Sequence, residues 1–568
     1  MRASGRSAPT IGVIFGGAAV YLCLVGIIET FSRRWVVADV VSLGHVVLLA
    51  VGVGAGYVAA SAPARRGQKP GPLAGPGAGV VVGASLAVLL LAGAAVNLRT
   101  MFINASPTLY ELLAFGRSLQ EGVALLLLLG AAAGAGGSAL AAMSARARRV
   151  FLTGLVAVLI VGVFQDLLQL LLQGPAVVTM LRGALFTTDG PSAGGAAAIC
   201  GLTWAAVAAR ARYGDALQRG AASLSPSGRR GLQVLRWTVA LALLLVVPIA
   251  GGPFVAQVMV LVGLYTLMGL GLNLEVGFAG LLDLGFVAFF AIGAYTMALL
   301  TSRGEYGIAH WSFWAAVPVA MGVSLVAGVL FGIPVLRVRG DYLAIATLGL
   351  GEIVRLLVLS DALRPWLGGS FGVLLIPKPR IGGWELSGPR ELYYLTLVAS
   401  GLIAYVASRL QDSPLGRAWM AIREDEDVAQ AIGINLVTTK LLAYGLGGAM
   451  GGVGGAIFAV LVGSVFPQSF SLLISINVLV LIILGGLGSL WGVVVGALVL
   501  VGLPELLREF GDYRFLVYGI VLVAMMLFRP EGLLPAAAQR RELHAGEDAS
   551  PPAPRPAVSV AGTGSVEG

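Results

Sequence analysis

Two sets of residues in this chain have types and spacings that could do chemistry. The first is the run Asp412 to Asn435, which carries Arg417, Arg423, Glu424, Asp425, Glu426 and Asp427 between two apolar stretches. In a chain with 58% hydrophobic and 11% charged residues, so dense a patch belongs in water, where it offers a surface to a soluble partner. Ser413 followed by Pro414 predicts a helix start, and Gly433 with Asn435 predicts its end. On that short surface helix Arg423, Asp427 and Gln430 share one face, while Trp419, Ile422 and Ala429 share another that can pack against apolar structure. The second set is Asn273, Glu275 and Asp283, with Gly277 and Gly280 among them. Ionisable groups in or beside apolar sequence seldom face lipid, so these are expected to line an interior path, where a glycine-broken helix frees backbone donors and acceptors. The competing reading is an interfacial loop in which they merely reach water. Glu352 and Arg355 are expected to pair with each other rather than touch a solute. Asp166, flanked by Gln165 and Gln169, is expected to make an intramembrane polar contact of no assignable role.

Other chemistry finds no support. The lysines are Lys69, Lys378 and Lys440; none is followed by Ser or Thr, so no G-x-x-x-x-G-K-[ST] phosphate loop can be built. The chain cannot itself be an ATPase. His45, His310 and His544 stand isolated, and Cys23 and Cys200 have neither disulfide nor metal spacing. The two cysteines are expected to be small apolar packing residues. No catalytic residue, metal site or bound cofactor is expected.

The elements that must position these residues are helices in a bilayer. A mean hydropathy of +0.91, with stretches of roughly 20 residues nearly free of charge, is what a hydrocarbon core about 30 Å thick requires. A β-barrel would instead alternate every second residue. The fold class is therefore all-α, a polytopic transmembrane bundle of about 16 spans. Six are expected near 10–30, 36–60, 77–97, 121–142, 151–172 and 195–209. About ten follow, near 237–252, 255–274, 284–301, 312–335, 342–359, 392–408, 441–463, 473–485, 490–506 and 514–528. The net charge of +9 comes from basic residues that punctuate these spans, among them Arg65, Arg66, Arg146, Arg148, Arg149, Arg229 and Arg230. They serve as topology signals rather than as a nucleic-acid surface, and they put both termini and the charged run in the cytoplasm. The run from Ile11 to Ile28 is too long for a cleaved signal and is expected to be the first span. The domains expected are 1–210, a six-helix membrane domain; 211–235, a polar, turn-rich cytoplasmic linker; 236–530, a second membrane domain; and 531–568, a disordered cytoplasmic tail. Gly447, Gly451 and Gly455, four residues apart, predict a helix face for close packing. Gly485, Gly486, Gly488 and Gly492 predict a break between two short spans.

Several segments of the second domain carry a family resemblance. Leu270 to Gly285 (LGLNLEVGFAGLLDLG), Arg337 to Ile345 (RVRGDYLAI) and Glu352 to Arg355 (EIVR), in that order, resemble the permease subunits of branched-chain amino acid ABC importers. The charged run is similar to that family's coupling loop, Leu484 to Gly492 to its late Gly-rich turn, and Phe528 to Leu533 to its end. The resemblance covers roughly 235–535. It implies a permease subunit of the inner membrane that moves amino acids, by default Leu, Ile and Val. ATP would be used on separate ABC ATPase subunits docked at Arg417, Arg423, Glu424, Asp425, Asp427, Ala429 and Gly433. A second permease and an extracytoplasmic solute-binding protein would complete the complex, the latter touching an outer loop near 361–391. Residues 1–230 fall outside the pattern and are read as an accessory domain rather than a fused companion permease, since they lack a second coupling loop. The competing functions are an ion-gradient-driven transporter with Asp166, Glu275 or Asp283 as relay, and a membrane scaffold that carries nothing.

Overall fold

The computed structural model describes residues 7–38, 40–64, 73–165, 168–169, 190–222, 226–338, 340–506 and scattered positions within 183–187 and 508–535. Asp166, His544 and residues 536–568 lie outside them. The protein is an all-α polytopic membrane protein. Among the described residues, eleven helices are long and apolar enough to cross a bilayer, and the only strands form two short antiparallel hairpins, Trp35–Val37 with Val41–Ser42 and Arg380–Ile381 with Trp384–Glu385. Eleven of the sixteen expected spans coincide with these helices. Three more, 237–252, 284–301 and 490–506, meet the shorter apolar helices Thr238–Ala250, Val287–Thr301 and Leu490–Leu506. The expected span 151–172 overlaps Ala145–Val163, and 514–528 falls mostly outside the described residues.

The chain divides into two compact units, Met1–Gly252 with Leu506–Arg514 and Pro253–Glu505 with Phe515–Gly568. The expected linker, 211–235, is largely helical: Ala193–Ala222 runs through its first half, and Pro226–Ala250 begins within it. Proline at a first helical position lacks only a donor that would be unpaired anyway, so Pro226 starts a helix instead of interrupting one.

The first unit centres on α1 (Ala8–Val25), α2 (Leu43–Ala64), α3 (Ala74–Ala95) and α4 (Leu119–Ala142). Small residues bring their backbones together: a β-carbon on Gly79 would strike the Gly130 carbonyl, and one on Gly134 the Gly75 carbonyl. Without a hydrophobic drive between helices in lipid, such contact is what holds them. Cys23 is fully buried in this core, and Cys200, on the helix Ala193–Ala222, is partly buried. Glu29 accepts hydrogen bonds from Ser106 (2.7 Å) and Thr108 (2.8 Å) and so ties a loop to the bundle.

The second unit holds the sites of interest. Its elements are α5 (Gly252–Leu272), α6 (Val287–Thr301), α7 (Phe313–Val335), α8 (Asp341–Leu359), α9 (Pro389–Gln411), α10 (Pro414–Glu424), α11 (Glu426–Ala431), α12 (Leu436–Val462), α13 (Leu472–Gly485) and α14 (Leu490–Ala497). The central helix is α12, packed on α6 and α7. Its glycines make this possible. Gly451 faces the Phe286 ring, and a β-carbon on Gly455 would strike the Phe290 carbonyl. Phe286, Phe289, Tyr444 and Met450 fill the core between them.

Candidate functional site

α5 runs unbroken to Leu272 and then widens into a π-turn, Asn273–Phe278. Gly280 takes φ +72°, and the Leu281 amide donates to the Glu275 carbonyl at 2.9 Å, so the chain folds back before α6. A π-turn shifts the hydrogen-bond ladder by one residue, a distortion frequent at functional sites. The Gly277 carbonyl in this turn receives Arg423 Nη1 at 2.6 Å. A β-carbon at Gly280 would lie 3.0 Å from Arg423 Cγ, so both the turn and the approach of the arginine stem require glycine there.

The turn is held from a second direction. Asn273 Oδ1 accepts from the Gly488 amide at 2.9 Å, in the break between α13 and α14 where Gly486 (φ +118°) and Gly488 (φ +76°) set the backbone. That break is closed by the Leu533 and Leu534 amides, which donate to the Leu484 and Gly485 carbonyls at 2.9 Å each.

Asn273 and Glu275 are fully buried, and Asp283 is 1% exposed. They lie inside the packed unit rather than on an exposed loop. Asp283 Oδ1 accepts from the Gly285 amide (2.6 Å), and Thr347 Oγ1 from the Leu284 amide (2.9 Å). Both Glu275 oxygens, Asp283 Oδ2, Asn273 Nδ2 and the Tyr444 hydroxyl meet no protein partner of good hydrogen-bond geometry. The Glu275 and Asp283 carboxyls are within electrostatic reach of each other and of Tyr444. Leaving a buried polar atom unpaired costs about 1–3 kcal/mol, so the carboxyl oxygens are suited to accept from a donor, whether an ammonium, a proton or water, and Asn273 Nδ2 and the Tyr444 hydroxyl to donate to an acceptor. A β-carbon on Gly447 would collide with the Glu275 carboxyl, so this glycine makes room for the acid. Sequence reasoning missed Thr347 and Tyr444. Each sits among apolar neighbours of a long helix, and no spacing marks it.

The charged run differs from the single helix expected. α10 starts as foreseen, with Pro414 in the first turn and Ser413 Oγ accepting from the Gly416 amide (3.2 Å). It stops at Asp425, whose carboxylate accepts from the Asp427 (2.9 Å) and Val428 (3.0 Å) amides and so caps α11. Asp425 out-competes helix continuation because a short acidic side chain satisfies two orphan amides at a new N-terminus. Gly433 (φ +93°) ends α11, and Asn435 caps α12 by accepting from the Thr438 amide at 3.2 Å. Trp419, Ile422 and Ala429 are buried, and Trp419 Nε1 donates to the Thr439 carbonyl at 2.8 Å. Arg417, Glu424, Asp425, Asp427 and Gly433 are exposed. Lys440 Nζ, nearly buried, pairs with Glu426 at 2.5 Å and joins α11 to α12. A lone lysine entering an apolar helix was the only trace of this pair in the sequence.

In the loop 361–391 Trp366 is exposed, Arg380 pairs with Glu385 (2.8 Å), and Lys378 Nζ donates to the Val460 and Leu461 carbonyls at 2.7 Å each. Lys378 is thus committed to the end of α12, and burial pulls its ammonium below the usual lysine range. His310 bonds locally to the Ser302 carbonyl (2.6 Å) and His45 to Ser42 Oγ (2.8 Å). Among the described residues no three His, Cys, Asp or Glu side chains are grouped to hold a metal ion.

The second unit is thus a multi-pass bundle in which a charged surface helix bonds to the backbone of a broken, buried helix. Comparison makes this specific. Residues 254–528 match the family described as the branched-chain amino acid transport system permease component. The high-affinity branched-chain amino acid transport system permease protein LivM of Salmonella typhimurium is 42% identical over 307 residues, covering 50% of this chain and 71% of that protein. LivM of Escherichia coli K12 is 42% identical over 306 residues, covering 50% and 70%. The probable LivM of Methanocaldococcus jannaschii is 22% identical over 330 residues, covering 50% and 93%. No solved structure matches the chain. The chain belongs to the permease-component family of branched-chain amino acid transport systems.

Proposed function

We propose that this chain is the transmembrane permease subunit of an ATP-driven importer that carries branched-chain amino acids across the cytoplasmic membrane. The observation that carries this reading is the bond from Arg423 to the Gly277 carbonyl. It gives a rigid-body push on the exposed α10–α11 segment a direct route into the π-turn, beside the buried carboxylates. ATPase subunits would dock on Arg417, Glu424, Asp425 and Asp427, on the cytoplasmic side with both termini. A second permease would complete the path, and an extracytoplasmic binding protein would deliver the solute. ATP would be bound and hydrolysed by the partners, and this chain would hold no cofactor. The first unit would be an accessory domain, supported by its own glycine-packed core and by the start of the family match at 254. The test is gentle purification of the tagged chain from native membranes with mass spectrometry of what accompanies it. ATPase subunits that are lost when residues 417–433 become a neutral linker support the reading; their reproducible absence overturns it.

The two Glu275 oxygens and Asp283 Oδ2, which lack a well-formed hydrogen bond, favour a second reading, a transporter driven by an ion gradient with these carboxylates as relay. Uptake abolished by an ionophore but indifferent to ATP would select it.

A further inference from the structure

Glu352 and Arg355 lie on α8, a helix apolar enough to span the bilayer. Arg355 forks onto Glu352, with Nε 3.1 and 3.0 Å from the two carboxylate oxygens and Nη2 also on Oε1. The pair straddles two faces of the helix. Gly351, Val354 and Val358 are packed, whereas Ile353, Leu356 and Leu357 are about half exposed. Glu352 is 42% and Arg355 28% exposed at the side chain. Glu352 stands seven residues before Leu359, about 10 Å inside the helix end. Helical side chains lean toward the N-terminus, and the fork holds the guanidinium down toward Glu352 instead of letting it reach the surface. Charges at such depth do not face lipid.

Beside them is a pocket of about 130 Å³ lined by Leu284, Val287, Leu348, Phe470 and Leu472, with Glu352 at its edge. Its volume equals about four waters, the scale of a short branched aliphatic side chain. A narrower cleft shares Val287, Gly351 and Phe470 and is edged by Arg355 and Tyr295. Tyr295, whose hydroxyl is buried and without a hydrogen-bond partner, lines it.

We propose that Glu352, Arg355 and this pocket form a transit site for an amino acid zwitterion. Glu352 accepts from the α-ammonium, Arg355 donates to the α-carboxylate through Nη1, which Glu352 leaves uncommitted, and the pocket takes the aliphatic side chain. A structural ion pair alone accounts for neither the adjoining apolar pocket nor the unpaired hydroxyl beside it. The site deepens the importer reading and rests on it. It also identifies this face of α8 as lining the path rather than contacting lipid.

The test uses the complete importer, with its companion permease, ATPases and binding protein, in liposomes, and follows ATP-dependent uptake of radiolabelled L-leucine. Glu352→Gln and Arg355→Gln each lower the uptake rate about tenfold or more, the worth of one charged hydrogen bond to the bound zwitterion, and Glu352→Asp recovers part of it. Leu348→Trp, which fills the pocket without touching the charges, abolishes uptake in a complex that still assembles. The decisive variant is Glu352→Leu with Arg355→Leu. Removing both members of a structural pair is nearly neutral, so wild-type uptake in the double variant overturns the site, and lost uptake in an assembled complex supports it. Wild-type complexes that take up no leucine overturn the importer reading itself, while wild-type uptake with unaltered single variants overturns the site alone.

Discussion

Replacing Arg423 by Ala removes the one side-chain bond from the charged surface helix to the π-turn carbonyl of Gly277. A hydrogen bond to a charged group contributes about 1.5–3 kcal/mol. Arg423 is an exposed residue, which places this bond at the lower end, about 1.5 kcal/mol. At 1.4 kcal/mol per factor of ten, the coupling between surface helix and turn weakens about tenfold. The buried Trp419 and Ile422 still seat α10, so the helix stays in place and the loss falls on transmission. The assay is paired measurement of leucine uptake and ATP hydrolysis by the reconstituted complex, reported as molecules moved per ATP. The expected result is a roughly tenfold lower ratio with ATPase subunits still bound. Arg423→Lys, which keeps the charge but loses the planar fork, should fall between. An unchanged ratio in Arg423→Ala would refute the mechanical link, whatever the total uptake.

Asn273→Leu leaves the Gly488 amide buried without its acceptor and should cost about 1–3 kcal/mol, read as a lower midpoint in thermal unfolding; Asn273→Asp, which keeps an oxygen there, should lose less. Asp425→Ala removes the cap of α11, about 1 kcal/mol, and should raise hydrogen exchange in residues 426–431 while exchange in α12 holds. Gly455→Ala sets a methyl against the Phe290 carbonyl, where backbone cannot give way. Overpacking of about 1–3 kcal/mol should appear as reduced stability in detergent, and wild-type stability would mean that α6 and α12 can separate.

Periodicity and composition revealed the helices, because a bilayer demands long apolar runs whatever the tertiary packing. They revealed less of how those helices end. Spacing makes Asp425 one charge in a helix, yet its side chain ends one helix and caps another, a competition between local bonds that spacing does not resolve. The charged run was legible because it is charged; the Gly277 carbonyl it reaches carries no side-chain signal. Asn273, Glu275 and Asp283 stood out as polar residues in apolar surroundings, whereas Thr347 and Tyr444 did not, being ordinary helix residues until three-dimensional packing turned them inward. The pairing of Glu352 with Arg355 followed from their spacing. That one side of the pair opens on a pocket depends on residues from 284 to 472, which no local pattern joins.

The bond between Asn273 and Gly488 also sets a timetable for biosynthesis. Its partners are 215 residues apart, and ribosomes add about 5–20 residues per second. The turn therefore waits roughly 10–40 s at that pace for its second support, and longer for Leu533 and Leu534 to close the break that carries it. During that interval Asn273 is already made and its side chain must be sheltered by something other than the Gly488 amide. Nascent chains stalled short of residue 488 should thus be easier prey for membrane proteases than chains stalled beyond 535.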